Sequence, residues 1–431
     1  MSTFGASAQT TFSVPPNERD PYRYHVGFGN RFASEAIPGT LPFAQNNPQK
    51  VKYDLYTEGI NGTPFVTPRR ENQSCWLYRI RPSVAHKGFE NLPDNPDLEA
   101  CFLPLNPKVH FSPTQLAWHP FDIPSESEKT NFVSGLKTLA GNGDPTLREG
   151  LAVHVYAANE SMEETAFCDG DGDFLILPQQ GRLDIQTEVG KLMVRPGELV
   201  VIQRGIKYKV GLPDGPSRGY ILEIFGSHFE LPDLGPLGTH GLANSRDFEH
   251  PVASFDIDHS PWETVIYKVG GKLFSCKQDH TPFDVVAWAG NYVPYKYAME
   301  KFVHVGSIQR DHIDPSIFCV LTARSKTPGA PLADFLIFSG RWDVATVSYE
   351  EFKKATEAEL GPMRVHEGTL AFMFETSMQV TITDYAMKRS GKLHEHEPKM
   401  WDDLKGQFVN HIEQVNADLE AAGLPPLGAR A

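Results

Sequence analysis

The sequence predicts a mainly β protein built from two jelly-roll domains in tandem, with a few short helices between the strands. Three observations predict it. Short apolar or alternating runs recur between Gly150 and Thr383. They are separated by Gly- and Pro-containing turns, and the chain carries 36 Gly and 34 Pro. At 431 residues with 40% hydrophobic content, the chain is too long for one core and ample for two.

The stretch from Asp169 to Val210 shows the pattern most densely. Phe174–Leu177 is a short apolar run bounded by Asp171-Gly172-Asp173 and Pro178-Gln179-Gln180-Gly181. Leu183, Ile185 and Thr187 alternate with polar neighbours. Runs at 191–195, 198–203 and 206–210 follow, divided by Val189-Gly190, Pro196-Gly197 and Arg204-Gly205. Alternation at a period of two, broken by turn residues, is the signature of antiparallel hairpins closing into a sandwich or jelly roll. Pro196-Gly197-Glu198 followed by apolar residues and Arg204-Gly205 resembles the second signature of a cupin barrel. In metal-binding cupins a His usually follows that turn; here the chain continues Ile206-Lys207-Tyr208, so this barrel reads as a scaffold without a metal of its own.

Net charge is −14 with no basic cluster, which argues against nucleic acid or an anionic membrane as partner. No apolar run approaches the roughly 20 residues of a membrane helix. The first 20 residues lack the basic start and apolar block of a secretory signal and read as a disordered tail. Five scattered Cys without a paired spacing read as reduced thiols of a cytoplasmic protein.

Further strands are predicted at 75–80, 150–157, 220–225, 272–276 and 284–288, with a surface excursion over 91–110 and a short helix over Asn131–Leu139. The organisation expected is a tail over 1–20, an N-terminal barrel domain over 21–301 and a second, cupin-like domain over 302–431. Strands of the second domain are expected at 302–305, 317–323, 335–338, 370–375 and 379–383. A helix at Tyr349–Leu360 is supported by Glu and Lys three and four residues apart, and a terminal helix over Trp401–Ala422 ends at a Gly.

The sixteen His residues invite a search for metal ligands, since iron, zinc and manganese sites in barrels take two or three His with a carboxylate. His394 and His396 have the tightest spacing, but they sit among Lys and Glu residues and read as a solvated loop. His154 and His228 read as satisfied core histidines, and His366 as part of a turn. Asp311-His312-Ile313-Asp314-Pro315 sets an imidazole between two carboxylates before a strand. That arrangement suits a general base, and equally a structural His at an Asp-Pro turn.

The motifs then carry a resemblance over most of the chain, from Tyr24 to about Leu404. Gly27-Phe28-Gly29-Asn30, Gln45-Asn46-Asn47-Pro48-Gln49, Trp76-Leu77-Tyr78-Arg79-Ile80, Asp171-Gly172-Asp173-Phe174, Glu230-Leu231-Pro232-Asp233-Leu234-Gly235-Pro236, Asp311-His312-Ile313-Asp314-Pro315 and Glu367-Gly368-Thr369-Leu370 all resemble the homogentisate 1,2-dioxygenase family. The resemblance implies two cupin-like domains assembled as a trimer or hexamer. It also implies homogentisate and O2 as substrates, maleylacetoacetate as product, and a place in tyrosine and phenylalanine catabolism. The chemistry implied is extradiol-type cleavage at an Fe(II) held by two His and one Glu. The acid/base role of the Asp-His-x-Asp-Pro histidine carries over to His312.

The chain departs from the family at one place. The interval that holds the ligand segment is missing: Arg341-Trp342-Asp343-Val344-Ala345 runs directly into Thr346-Val347-Ser348-Tyr349. Trp288-Ala289-Gly290-Asn291 also has Ala where His is usual. The expectation is that this chain does not retain Fe(II) and is an inactive scaffold as written. The clean seam between well-kept motifs favours a skipped exon over gradual decay.

Overall fold

The computed structural model describes residues 16–43, 51–114, 116–233, 242–302, 304, 315–338, 341–343, 364–366, 369–374, 380–396 and 411–427. The turns read from the sequence are where the chain reverses. Leu183–Thr187 pairs with Gly190–Val194 from Leu183↔Val194 to Thr187↔Gly190. Gly197 (φ +93°) and Gly205 (φ +87°) take left-handed conformations that a Cβ would disfavour, which fixes the two following reversals.

Ten strands form the central sheet. In spatial order they begin Tyr24–Val26, Phe248–Pro251, Tyr295–Ala298, Glu198–Ile202, Gly172–Gln180, Ser217–Phe225 and Glu149–Ala158, and continue through Leu136–Asp144 and Thr381–Thr383 to Val109–His110. A seven-stranded sheet containing Leu183–Thr187, Lys207–Gly211, Thr165–Asp169 and Trp262–Val269 packs across it. Between them lies the core of the first barrel, with Phe132, Phe167, Phe174, Ile176, Leu183, Ile185, Val200 and Ile221 all buried.

The opposite face of the central sheet is buried too. Leu175, Leu177, Leu199, Val201, Leu222 and Ile224 pack against Val320, Leu321, Phe335 and Ile337. Those last four belong to a smaller sheet of Phe229–Glu230, Cys319–Arg324, Pro331–Phe338 and Thr369–Phe374. A strand with both faces covered has no polar side, so Phe174–Leu177 and Leu199–Ile202 are continuous apolar runs instead of alternating ones. The expectation of a mainly β chain holds.

Strands cross the division expected at 301/302. Phe229 pairs with Ala323, so the first half lends an edge to the second sheet. Thr381 pairs with Gly141, so the second half lends a strand to the first. Residues 1–15 of the expected tail lie outside the described residues. From residue 16 the chain is placed, and Asp20 accepts from Tyr24 Oη (2.8 Å) and Lys296 Nζ (2.6 Å).

Two local expectations are corrected. Asn131–Leu139 is not a helix. The Asn131 carboxamide accepts from Val133 N and Ser134 N at 3.0 Å, turning the chain, and Leu136–Asp144 then pairs as a strand with Glu149–Ala158. The excursion over 91–110 is pinned, because Ala100, Phe102 and Val109 form a buried cluster with Ala152 and Phe225. The helix expected at Tyr349–Leu360 and the seam at 345/346 lie outside the described residues. The terminal helix is described over Ile412–Ala421, and Gly423 (φ +73°) follows it as the expected stop. No described helix is long and apolar enough to cross a membrane, and all five Cys are free thiols.

Candidate functional site

The polar centre of the first barrel is built by four strands. Asp169 ends Thr165–Asp169 and pairs in register with Lys268 on the parallel strand Trp262–Val269. Asp171 sits in the turn that follows, its backbone N–H donating to Asp169 Oδ1 (2.8 Å). Glu223 enters from Ser217–Phe225 opposite Phe174. The Lys268 ammonium donates to Glu223 Oε1 at 2.6 Å, Asp171 Oδ2 at 3.0 Å and Asp169 Oδ1 at 3.3 Å, with every partner buried. Asp171 is held further by Gly270 N (2.6 Å) and Gly271 N (2.8 Å).

One ammonium faces three buried carboxylates, and the uncompensated charge shows in the titration of Asp169 and Glu223. Burial and the neighbouring Glu223 raise Asp169 well above the usual carboxylate range, and burial raises Glu223. His154 moves the other way, to about 3, through burial and the nearby Lys268 charge. The ring is therefore neutral at ordinary pH. Its Nε2 meets Glu223 Oε2 at 2.9 Å, and its Nδ1 meets the Thr138 hydroxyl at 2.9 Å.

Asp169, Asp171 and Glu223 are the one grouping of three ligand-type side chains among the described residues. They do not fit Fe(II). The set offers three carboxylates and no direct imidazole, where a facial-triad iron takes two His and one carboxylate. The cation position within it is taken by Lys268. His154 and His228 are satisfied core histidines, as expected. His228 Nδ1 meets Asp173 Oδ2 at 2.7 Å and Nε2 meets the Gly62 carbonyl at 2.8 Å. Burial alone would lower its pKa, but these two acceptors outweigh it and the net shift is upward.

A second buried charge cluster ties a further four-stranded sheet, of Phe32–Glu35, Val285–Gly290, Ser74–Arg79 and Tyr56–Asn61, to the barrel. Arg79 Nη2 and Nε reach Asp284 Oδ1 (2.9 and 3.1 Å), and Nη1 reaches Glu188 Oε2 (3.0 Å). Glu188 also pairs with Lys207 at 3.2 Å.

Of the histidines singled out in the second half, the structure gives a side-chain contact for His304 alone among the described residues. His312 lies outside the described residues. His304 packs on Phe318 (centroids 4.9 Å apart), and His366 ends the strand Arg364–His366. His394 and His396 fall in a single helical turn, Leu393–His396. A cavity of about 680 Å3 opens beside the second sheet, lined by Glu230, Leu231, Cys319, Thr322, Arg324 and Asp334. Lys268 and Glu223 were not singled out from sequence. Their signal was a lone charge inside each of two apolar strands, Thr264-Val265-Ile266-Tyr267-Lys268-Val269 and Tyr220-Ile221-Leu222-Glu223-Ile224-Phe225.

Comparison with known proteins decides the lineage. The model of the family described as "Homogentisate 1,2-dioxygenase N-terminal" matches residues 23–299, and that of its C-terminal counterpart matches 300–350 and 346–408. The chain belongs to the homogentisate 1,2-dioxygenase family. Homogentisate 1,2-dioxygenase of Mus musculus is 45% identical over 437 positions, covering 90% of this chain and 97% of the mouse protein. That of Homo sapiens is 44% identical with the same coverage, and that of Arabidopsis thaliana is 51% identical over 329 residues, 76% of this chain and 70% of the plant protein. Among solved structures, a cupin superfamily protein of Desulfitobacterium hafniense aligns with 26% of this chain and 98% of its own, at 14% identity and a TM-score of 0.19.

These matches also bear on the seam. Ninety per cent of 431 residues is about 388, yet the mouse alignment spans 437 positions, so about 49 positions of the alignment have no residue of this chain. The C-terminal family model aligns in two pieces that meet at 346–350. The second sheet has four strands, against ten and seven in the first barrel, among the described residues.

Proposed function

We propose that this protein's function is that of its family: Fe(II)- and O2-dependent opening of the homogentisate ring to maleylacetoacetate, in the cytoplasm, by a homo-oligomer. The observation that carries this reading is identity of about 45% running through both halves of the chain, with the two family models in their proper order. Iron supplies the Lewis acidity and O2 chemistry of such a reaction. In this chain His312 is the residue assigned the acid/base role at the ring hydroxyl.

A second reading is favoured by the break at 346–350. The sequence as written lacks the two His and one Glu that hold the iron, the described residues offer no substitute, and the chain in this form is a scaffold. The two readings describe one lineage with and without its ligand segment. The test restores about 49 positions of the mouse protein at the seam and follows O2 uptake with homogentisate and Fe(II). The proposal expects uptake by the restored chain that is lost in its His312→Ala variant. A restored, folded and iron-loaded chain that leaves homogentisate untouched would defeat it.

A further inference from the structure

Where the Gly27–Asn30 turn meets the central sheet, the fold encloses a cavity of about 40 Å3. Three of its lining side chains carry a fully buried polar atom with no protein partner: His250 Nε2, Gln203 Oε1 and Tyr295 Oη. They come from adjacent strands. Val201 lies opposite Tyr295, and Glu249 opposite Lys296, which brings Gln203, Tyr295 and His250 to one patch. The His250 and Tyr295 ring centroids are 5.7 Å apart.

The outer ends of these side chains fix what the inner ends present. His250 Nδ1 faces the Pro294 carbonyl at 3.0 Å, and a carbonyl only accepts, so Nδ1 carries the hydrogen. Burial lowers the ring's pKa to about 4, so it is neutral and Nε2 offers a lone pair. Gln203 Nε2 donates to Val293 O at 2.8 Å, which turns Oε1 inward as a second acceptor. Tyr295 supplies a hydroxyl that burial keeps protonated. Two acceptors and one donor belong to the lining of that space.

The geometry points to a structural water bound here, donating to His250 Nε2 and Gln203 Oε1 and accepting from Tyr295 Oη. Water is the small species with that complement. An anion would meet two acceptors. A divalent cation would find no carboxylate among the three, and the nearby Asp173 is already taken by His228 and Arg204 N. About 10–15 Å3 of such volume holds one water, so the cavity accommodates one and at most a few. The water joins three strands behind the Gly27–Asn30 turn.

Tyr295→Phe in the full chain decides the matter by its sign. Removing a hydroxyl that binds the water leaves that water short of a donor, and the urea midpoint falls. Removing a hydroxyl with no partner abolishes a desolvation penalty, and the midpoint rises or stays. The inference expects a lower midpoint. It also expects, in a crystal of the parent chain, a solvent peak within hydrogen-bond distance of all three atoms. An unchanged or higher midpoint, a cavity without that peak, or a peak with the short contacts of a metal overturns it.

Discussion

Lys268→Met tests whether one ammonium holds the centre of the first barrel together. Methionine matches the length of the lysine stem and keeps the packing over Phe174, so the change removes little but the charge and its three donors. Taking one partner from a buried ionic cluster costs about 3–5 kcal/mol, because the carboxylates left behind are buried and unpaired. That is a large share of the roughly 5–15 kcal/mol that separates a folded domain from its unfolded chain. The pH dependence is specific. Asp169 and Glu223 already have folded pKa values above their unfolded ones. Such a carboxyl contributes stability that is fully present below its unfolded pKa of about 4 and is lost as pH rises through the folded value. Without the ammonium both values rise further, so the loss should be greatest near pH 8 and smallest near pH 5. Urea midpoints of parent and variant, read by far-ultraviolet circular dichroism at the two pH values, measure it. Equal midpoints at pH 8, or a greater loss at pH 5, would refute the assignment.

Arg79→Ala should cost about 3–5 kcal/mol by stranding Asp284 and Glu188, and Arg79→Lys should recover only part, since an ammonium cannot make the forked contacts; urea unfolding reads both. His228 has a raised folded pKa, so its pairing with Asp173 stabilises fully below about pH 6.5 and the benefit is lost as pH rises through the folded value. His228→Gln should therefore flatten the stability profile above pH 6.5, and a variant with the parent's slope would contradict this. Tryptic digestion of the protein from its native source should release Trp342–Lys353 (WDVATVSYEEFK) if the seam exists in the cell, whereas longer family-like peptides there would show an intact ligand segment.

The fold was legible in the sequence where turn chemistry was strong. Gly190, Pro196-Gly197 and Arg204-Gly205 bound strands within a residue or so of where the chain reverses. Asn131–Leu139 misled because Asn131 caps a turn through its side chain, a local bond that a helix propensity does not register. The second burial surface of the central sheet was visible only as unbroken apolar runs, with nothing to say what covers the far face. The exchange of Phe229–Glu230 and Thr381–Thr383 between the two halves was not legible, since pairings across about 90 and 240 residues leave no local trace. At the polar centre, Lys268 and Glu223 each stood alone in an apolar stretch, 264–269 and 220–225. What joins them is a parallel pairing with Asp169 and the facing of two sheets, neither of which spacing encodes.

What we propose is a kept lineage around a missing iron-binding segment. The most direct measurement takes purified protein of this sequence, reconstituted with Fe(II) under anaerobic conditions, and determines bound iron per chain together with O2 uptake on adding homogentisate. The scaffold reading of the sequence as written expects no stoichiometric iron and no homogentisate-dependent uptake. One tightly held iron per chain with sustained uptake would contradict it.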